Sequence, residues 1–266
     1  MRTHRPQLAA VLALAAVLAA CGELSAEEAR EGLDEAALSS AALSLAGSSI
    51  DLSTNFTIGG AAADAATELQ AFVESQLPCA LVTVQGATIT INYGVLGGAC
   101  VYRGQTYAGR HEITIMTNTA SEVVVEHQWT DFHDQTVNLT GSAMVTWSAS
   151  DPSRHVSYDM RWERISDNHR GNGTGEVTQR PLESGLLSGF SEDGERTWTT
   201  QEGSWTLTVA GVEMRWVDPC PQSGTYTLTS PSHKTMTLTF MRTDSTTIRA
   251  TIASGSRSFD IDVHTI

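Results

Sequence analysis

The sequence predicts a mainly β protein: one curled antiparallel meander of roughly 12–14 strands with a single amphipathic helix at its N-terminal side. From Ala80 onward, apolar residues alternate with Thr, Ser, Arg and Glu. This alternation is typical of strands that bury one face. Turn-forming pairs such as Gln85-Gly86 and Asp193-Gly194 separate the alternating runs. No low-complexity linker divides residues 51–266, so we expect one helix-plus-β domain. A two-layer β-sandwich is the alternative.

The composition is that of a folded, acidic protein. The chain has 266 residues, of which 41% are hydrophobic and 17% are charged, and its formal net charge at pH 7 is −14. This apolar content is enough to build a core, so extensive disorder is excluded. Lys234 is the only lysine. Because so acidic a surface repels phosphate backbones, we expect no nucleic-acid partner.

The N-terminal residues 1–20 have the features of an export signal. Arg2 and Arg5 provide positive charge ahead of an apolar run over residues 8–18. A helix of that length spans only about 16 Å, roughly half of a ~30 Å hydrocarbon core, so the run is too short for a transmembrane anchor. We therefore predict a signal peptide that is removed on export.

The end of this signal, Leu18-Ala19-Ala20-Cys21, resembles the lipobox of bacterial lipoproteins. The resemblance implies that Cys21 becomes the mature N-terminus, is lipidated, and holds the protein on a membrane through its acyl chains. Gly22 rather than Asp follows the cysteine, which in the enterobacterial pattern implies the outer membrane. An ordinary signal-peptidase site with a nearby cysteine is the alternative. The expected location is the bacterial cell envelope, with the membrane as a partner.

Residues 21–50 are acidic and rich in Ala and Ser. Six carboxylates between residues 23 and 35 face the single Arg30, and large apolar residues are few. The segment has helix-forming residues but only a thin apolar stripe. We interpret it as a solvated tether that lifts the domain off an anionic membrane surface.

Residues 61–77 show the pattern of an amphipathic helix. Gly59 and Gly60 precede the segment and Pro78 ends it. Its apolar residues recur at helical spacing; they are Ala62, Ala65, Ala66, Leu69, Phe72, Val73 and Leu77. This stripe needs an apolar partner, so we expect the helix to cover the concave face of the sheet, with Phe72 in a shared core.

Tryptophans fall on the side of the strands that we expect to face inward. Five of the six have the inward phase of the alternation: Trp129, Trp147, Trp162, Trp205 and Trp216. A flat single-layer sheet would leave this aromatic face in water, so a curled sheet is favoured.

Three cysteines remain if Cys21 is lipidated, so at least one thiol stays unpaired within the chain. Cys79 and Cys100 flank the first predicted hairpin, and an exported protein can form disulfides. We expect a Cys79–Cys100 bridge. Three free thiols, or a bridge that uses Cys220, are the alternatives.

Catalytic motifs are not found in the sequence. The segment His127–Asp134 holds two histidines and two aspartates that could ligate a transition metal, but its spacing suits an inward His127 beside Trp129 followed by a turn. Asp159, Glu163 and Glu176 suit ion pairing with neighbouring arginines on the outer face. We predict no catalytic residue, no metal site and no cofactor, and therefore a protein that is not an enzyme.

The order of parts is similar to that of Thr-rich all-β lipoproteins of myxobacteria and Bacteroidetes. The likeness covers most of residues 55–263 and rests on Pro78-Cys79, the strand 88–94, Cys100, Gly104 and the stretch 220–225. In that group the closing hairpin often carries a second cysteine. Asp244-Ser245-Thr246 has none here, which implies that Cys220 is the odd thiol. The group has no established activity, so the resemblance implies no functional residue.

These observations predict a membrane-anchored exported lipoprotein with a binding or structural role. The alternative is a carrier that holds a hydrophobic ligand in a cavity of the curled sheet, because its Trp-rich face and covering helix resemble the half-barrels of lipoprotein carriers. The two are distinguished by whether side chains fill the concave face or leave an open apolar cavity.

Overall fold

A computed structural model describes residues 23–265 apart from 96–99, 103, 104, 184, 186, 187 and 216. Within these residues the chain forms one antiparallel sheet of fourteen strands and two helices. This confirms the predicted mainly β class and the meander, and the sheet is not closed into a barrel. The strands belong to a single sheet, so the two-layer sandwich is wrong. The signal peptide, Cys21 and Trp216 lie outside the described residues.

The helices are α1 (Ala26–Leu52) and α2 (Ala62–Gln76). The strands are β1 (Leu81–Gln85), β2 (Thr88–Gly94), β3 (Cys100–Tyr102), β4 (Gln105–Asn118), β5 (Glu122–His133), β6 (Val137–Ser148), β7 (Ser153–Arg164), β8 (Arg170–Pro181), β9 (Gly189–Thr200), β10 (Gly203–Arg215), β11 (Ser223–Thr229), β12 (Thr235–Arg242), β13 (Thr247–Ser254) and β14 (Arg257–His264). Each strand pairs with the next along the chain, except that β2 pairs directly with β4 and β3 adds a short hairpin to β4.

The inner face of the sheet carries the alternation that the sequence predicts. Trp129, Trp162 and Trp205 are buried there, and Trp147 is half-buried. Trp198 of β9 is also buried, although the sequence pattern does not show it. The reason is that its strand places Gly194 and charged residues at the other inward positions, so no apolar alternation is visible.

The predicted tether is wrong, because residues 26–52 form a helix of 27 residues that packs on the concave face. A capping box starts it: the backbone N–H of Glu28 donates to the Ser25 hydroxyl, and the Ser25 N–H donates to the Glu28 carboxylate. Its thin apolar stripe is almost fully buried, and comprises Leu38, Ala42, Leu45, Ala46, Ile50 and Leu52. Small residues let a helix approach a sheet closely, so few large side chains are needed.

The acidic residues that suggested solvation instead dock α1 onto the strands. Glu28 accepts from Lys234, the residue just before β12, at 2.8 Å, and Asp34 pairs with Arg164 of β7 at 2.8 Å. Near the end of the helix Asp51 pairs with Arg154, also on β7, at 2.6 Å. These pairs are partly exposed, and each contributes little alone. Together they show that ion pairs join α1 to the rest of the domain near its start, in its middle and near its end.

The second helix is confirmed over Ala62–Gln76, within one residue of the predicted segment at each end. It packs on β1, β2 and β4, and Leu69 and Val73 are fully buried. Phe72, predicted to lie in the shared core, is only half-buried and packs at its margin. The core therefore depends on both helices, with α2 over the first strands and α1 crossing most of the others.

The Cys79–Cys100 disulfide is confirmed, with the two Cα atoms 5.5 Å apart. It links the segment after α2 to β3, so that the first hairpin is tied to the helix. Cys220 has no disulfide partner among the described cysteines.

Candidate functional site

A large cavity lies between α1 and the concave face of the second half of the sheet. Its volume is about 1630 Å³, whereas small-molecule sites usually have about 300–1,000 Å³. Strands β6 to β12 form its floor, and α1 covers it from above, with Leu33 and Leu43 among the helix residues that line it. Most lining side chains are apolar, so the cavity is suited to an elongated hydrophobic molecule.

Short side chains on the helix explain why the cavity exists. Ala36, Ser40 and Gly47 of α1 all line it. A Cβ atom built on Gly47 meets no other atom within 4 Å. Under the first half of α1 the contact is close, since a Cβ on Gly32 would lie 2.9 Å from Leu228 Cδ2 and 3.1 Å from Trp205. The helix is thus in tight contact near Gly32 and leaves open space near Gly47.

Arg196 of β9 places a charged side chain in the cavity. Its inward side chain passes beside the Trp198 ring, with the guanidinium carbon 5.7 Å from the ring centre. One terminal nitrogen donates to the hydroxyl of Ser40 on α1 at 2.6 Å, and the buried Nε has no hydrogen-bond partner among the described residues. Burial lowers the pKa of Arg196, yet a guanidinium stays protonated in proteins. A positive charge therefore lies in an apolar cavity.

A glycine on the neighbouring strand makes room for this arrangement. Gly175 of β8 pairs in register with both Tyr158 of β7 and Arg196. A Cβ at this position would lie 2.7 Å from Arg196 Cβ and 2.7 Å from the ring carbon Cζ of Tyr158. Burial raises the pKa of Tyr158 to about 12, against an opposing effect of Arg196. Gly175 thus allows a neutral phenol and the guanidinium to lie side by side.

The other arginines of the cavity have acidic partners. Arg154 pairs with Asp51, and Arg180 pairs with Asp151 at 3.3 Å. Glu192, which also lines the cavity, accepts from the side-chain amide of Gln179 at 2.7 Å. Arg196 differs, because within the described part of the chain its side chain bonds to the Ser40 hydroxyl, the Ala36 carbonyl and the Tyr158 phenol, and to no carboxylate.

One group of side chains in the described residues has the composition of a metal site. Glu35 of α1, His169 and Glu202 place one ligand atom each within 4.8 Å of the others. His169 Nε2 lies 2.7 Å from Glu35 Oε1, and burial raises the pKa of Glu35. The His169–Glu35 contact already explains the cluster as a docking point for α1. The sequence did not reveal it, because its members are more than 30 residues apart.

The segment 127–134 does not form a metal cluster in the structure. His127 is buried and stacked on Trp129, as the strand phase predicts. Asp134 lies in the turn after β5, where its side chain accepts from the backbone N–H groups of Thr136 and Val137. The two ends of the segment therefore have separate structural roles.

The carboxylates of β7 and β8 lie among arginines and histidines on the outer face. Glu163 accepts from Arg170 at 2.8 Å, and Glu176 lies 4.0 Å from His155. Asp159 is exposed on the same face. These residues face away from the cavity, on the opposite side of the sheet, and are not brought together around a cleft.

The cavity and Arg196 were not identified from the sequence. The available signal was an arginine at an inward strand position two residues before an inward Trp198. Without knowledge of which residues pair between β8, β9 and β10, an inward orientation of Arg196 could not be distinguished from an outward one.

Comparison of the chain with protein-family models, curated proteins and solved structures finds no match. Neither described helix combines the length and apolar character needed to span a bilayer.

Proposed function

We propose that this protein is an exported, lipid-anchored carrier that binds a hydrophobic ligand in the cavity between α1 and the sheet. The cavity itself carries this proposal: of the two roles predicted from the sequence, an open apolar volume favours the carrier over a purely structural role. A protein that served only as a scaffold would have no reason to leave its concave face incompletely filled.

The energetics of the cavity support binding of an apolar molecule. Burial of apolar surface contributes about 25 cal/mol per Å², so a ligand lying on the apolar floor gains from every contact. A ligand in contact with the apolar walls also gains dispersion contacts with them. The small residues of α1 keep the volume open although larger side chains, for instance at Gly47, would fit.

The anchor part of the proposal rests on the lipobox-like motif. Only Gly22 separates Cys21 from Glu23, whose carboxylate accepts from the backbone N–H of Ser256 at 3.0 Å and pairs with Arg257 at 2.9 Å. Acyl chains on Cys21 would therefore hold the β13–β14 hairpin close to the bilayer. That hairpin exposes Phe259 on its edge strand, with 64% of the residue surface accessible.

A pair of substitutions at Gly47 tests the carrier proposal. Gly47→Trp should fill the cavity without a clash at the Cβ atom, whereas Gly47→Ala adds one methyl group and serves as the matched control. For the chain from Gly22 onward, we expect a neutral fluorescent probe such as N-phenyl-1-naphthylamine to bind the unmodified and Gly47→Ala proteins. Gly47→Trp should weaken binding about tenfold or more. Absence of binding, or equal binding by all three proteins, would contradict the proposal.

Replacement of Cys21 tests the anchor. In the bacterial host, Cys21→Ala should release the protein from the membrane fraction or block removal of the signal. Membrane fractionation and the mass of the N-terminal peptide report the two outcomes. Unchanged fractionation together with an unchanged N-terminal mass would contradict lipidation at Cys21.

A further inference from the structure

We infer that the cavity selects a ligand with a monoanionic head group, a carboxylate above all, and that Arg196 is the residue that recognises it. This inference rests on the proposed carrier function and adds the chemical class of the ligand: a long-chain acid. It comes from the placement of one incompletely paired guanidinium beside an apolar surface.

The charge of Arg196 is incompletely compensated by the protein. Its partners are the Ser40 hydroxyl, the Tyr158 phenol and a backbone carbonyl, all neutral groups, and its Nε has no partner among the described residues. Arg196 is half-buried, and a charge that is partly removed from water is stabilised when an opposite charge pairs with it. Guanidinium groups bind carboxylates through two parallel hydrogen bonds, so a bound acid would supply the missing negative charge.

Glu192 does not provide that negative charge by direct contact. It lies four residues before Arg196 on β9, about 13 Å along an extended strand, and its carboxylate is held by Gln179. Its charge acts on Arg196 only at a distance. The single positive charge of Arg196 suits a head group with one negative charge.

An apolar path leads away from Arg196 across the sheet. Register pairs join Arg196 to Leu207 of β10, Leu207 to Leu228 of β11, and Leu228 to Met236 of β12. All of these residues line the cavity. Three spacings between adjacent strands cover about 14 Å. The cavity extends further, over the inward-facing residues beside this row of register pairs. The site thus offers a charged end and a long hydrophobic floor, the two parts of a fatty-acid-like molecule.

Calorimetry with dodecanoate and dodecanol separates the head group from the chain. With the chain from Gly22 onward at pH 7.5, where the acid is ionised, we expect dodecanoate to bind at least about tenfold more tightly than dodecanol. Arg196→Met should abolish this preference and leave dodecanol affinity within about twofold. Arg161→Met, which removes an exposed arginine from the outer face of β7, should change neither affinity.

The outcomes distinguish the two proposals. Equal affinity for acid and alcohol in the unmodified protein, or an acid preference that survives Arg196→Met, overturns the head-group inference while the carrier function stands. Binding of neither ligand overturns both. Because Arg196 also contacts α1, circular dichroism should check the fold of the variant. Arg196→Lys, which keeps the charge but not the planar fork, should keep a reduced preference for the acid; loss of all preference in this variant would contradict a charge-based role.

Discussion

At the scale of single residues, a pair of buried histidines has a clear consequence for stability. His111 Nε2 and His127 Nδ1 lie 3.0 Å apart, and both rings stack against Trp129. The remaining ring nitrogens, His111 Nδ1 and His127 Nε2, are buried without partners. Burial lowers the pKa of His127 to about 3 and lowers the pKa of His111 well below its usual value. Both histidines are therefore neutral in the folded protein.

This pair predicts loss of stability in mild acid. In the unfolded chain the two histidines take up protons below about pH 6.5, whereas the folded protein resists protonation. Their contribution is complete above pH 6.5 and falls as the pH drops towards the folded pKa values. The loss should approach about 1.4 kcal/mol per pH unit for each histidine. Urea unfolding at pH 7.5 and pH 5.5 measures it.

Two variants test whether the buried histidine pair causes this pH dependence of stability. His127→Gln should reduce the pH dependence of the unfolding free energy, because one titrating group is removed. His233→Gln, which changes an exposed histidine outside the buried pair, is the control. An equal pH dependence in all three proteins would show that the buried pair is not its source.

The sequence predicted part of this arrangement. His127 could be placed on the inner face from strand phase alone. Its partner could not, because β4 and β5 pair through two register shifts, next to Arg110 and Thr117, that alternation does not reveal. The contact between Arg196 and Tyr158 was hidden for another reason: the two residues lie two strands apart and meet only because Gly175 lies between them in the sheet.

At the scale of elements, α1 shows how a docked helix can resemble a solvated spacer. Half of its buried residues are Ala, Ser or Gly, and its carboxylates find partners far along the chain, such as Lys234 and Arg164. In addition, the Trp129 ring N–H donates to the Ser49 hydroxyl at 2.9 Å. None of these partners could be assigned before the topology was known. Ser25 and Glu28 were the local signal, since their spacing is that of a capping box.

The two glycines of α1 are expected to respond in opposite ways to substitution. Gly32→Leu should destabilise the protein by about 1–3 kcal/mol, because the new side chain meets Leu228 and Trp205. Gly47→Ala should stabilise it by about 0.5–1 kcal/mol through helix propensity, since nothing obstructs the methyl group. Urea unfolding of the two variants provides the comparison. A stabilising Gly32→Leu would show that α1 does not pack on the sheet as described.

At the scale of the whole molecule, alternation and turn residues were sufficient to predict a meander. Nearly every strand pairs with its neighbour in sequence, so strand order follows directly from chain order. The Cys79–Cys100 bridge was predictable for the same reason, because it closes a local hairpin. The cavity was not predictable, since it depends on the separation between α1 and the second half of the sheet.

The central claim is that the concave face beneath α1 holds a hydrophobic ligand, and site-resolved photo-cross-linking tests it most directly. A long-chain alcohol that carries a diazirine in its chain makes the test independent of the head group. After irradiation and peptide mapping, we expect saturable labelling of peptides that contain Leu207, Leu228 or Met236, or of α1 around Gly47, and loss of that labelling in Gly47→Trp. Labelling confined to β14, around Phe259 for example, or labelling that does not saturate, would contradict the claim.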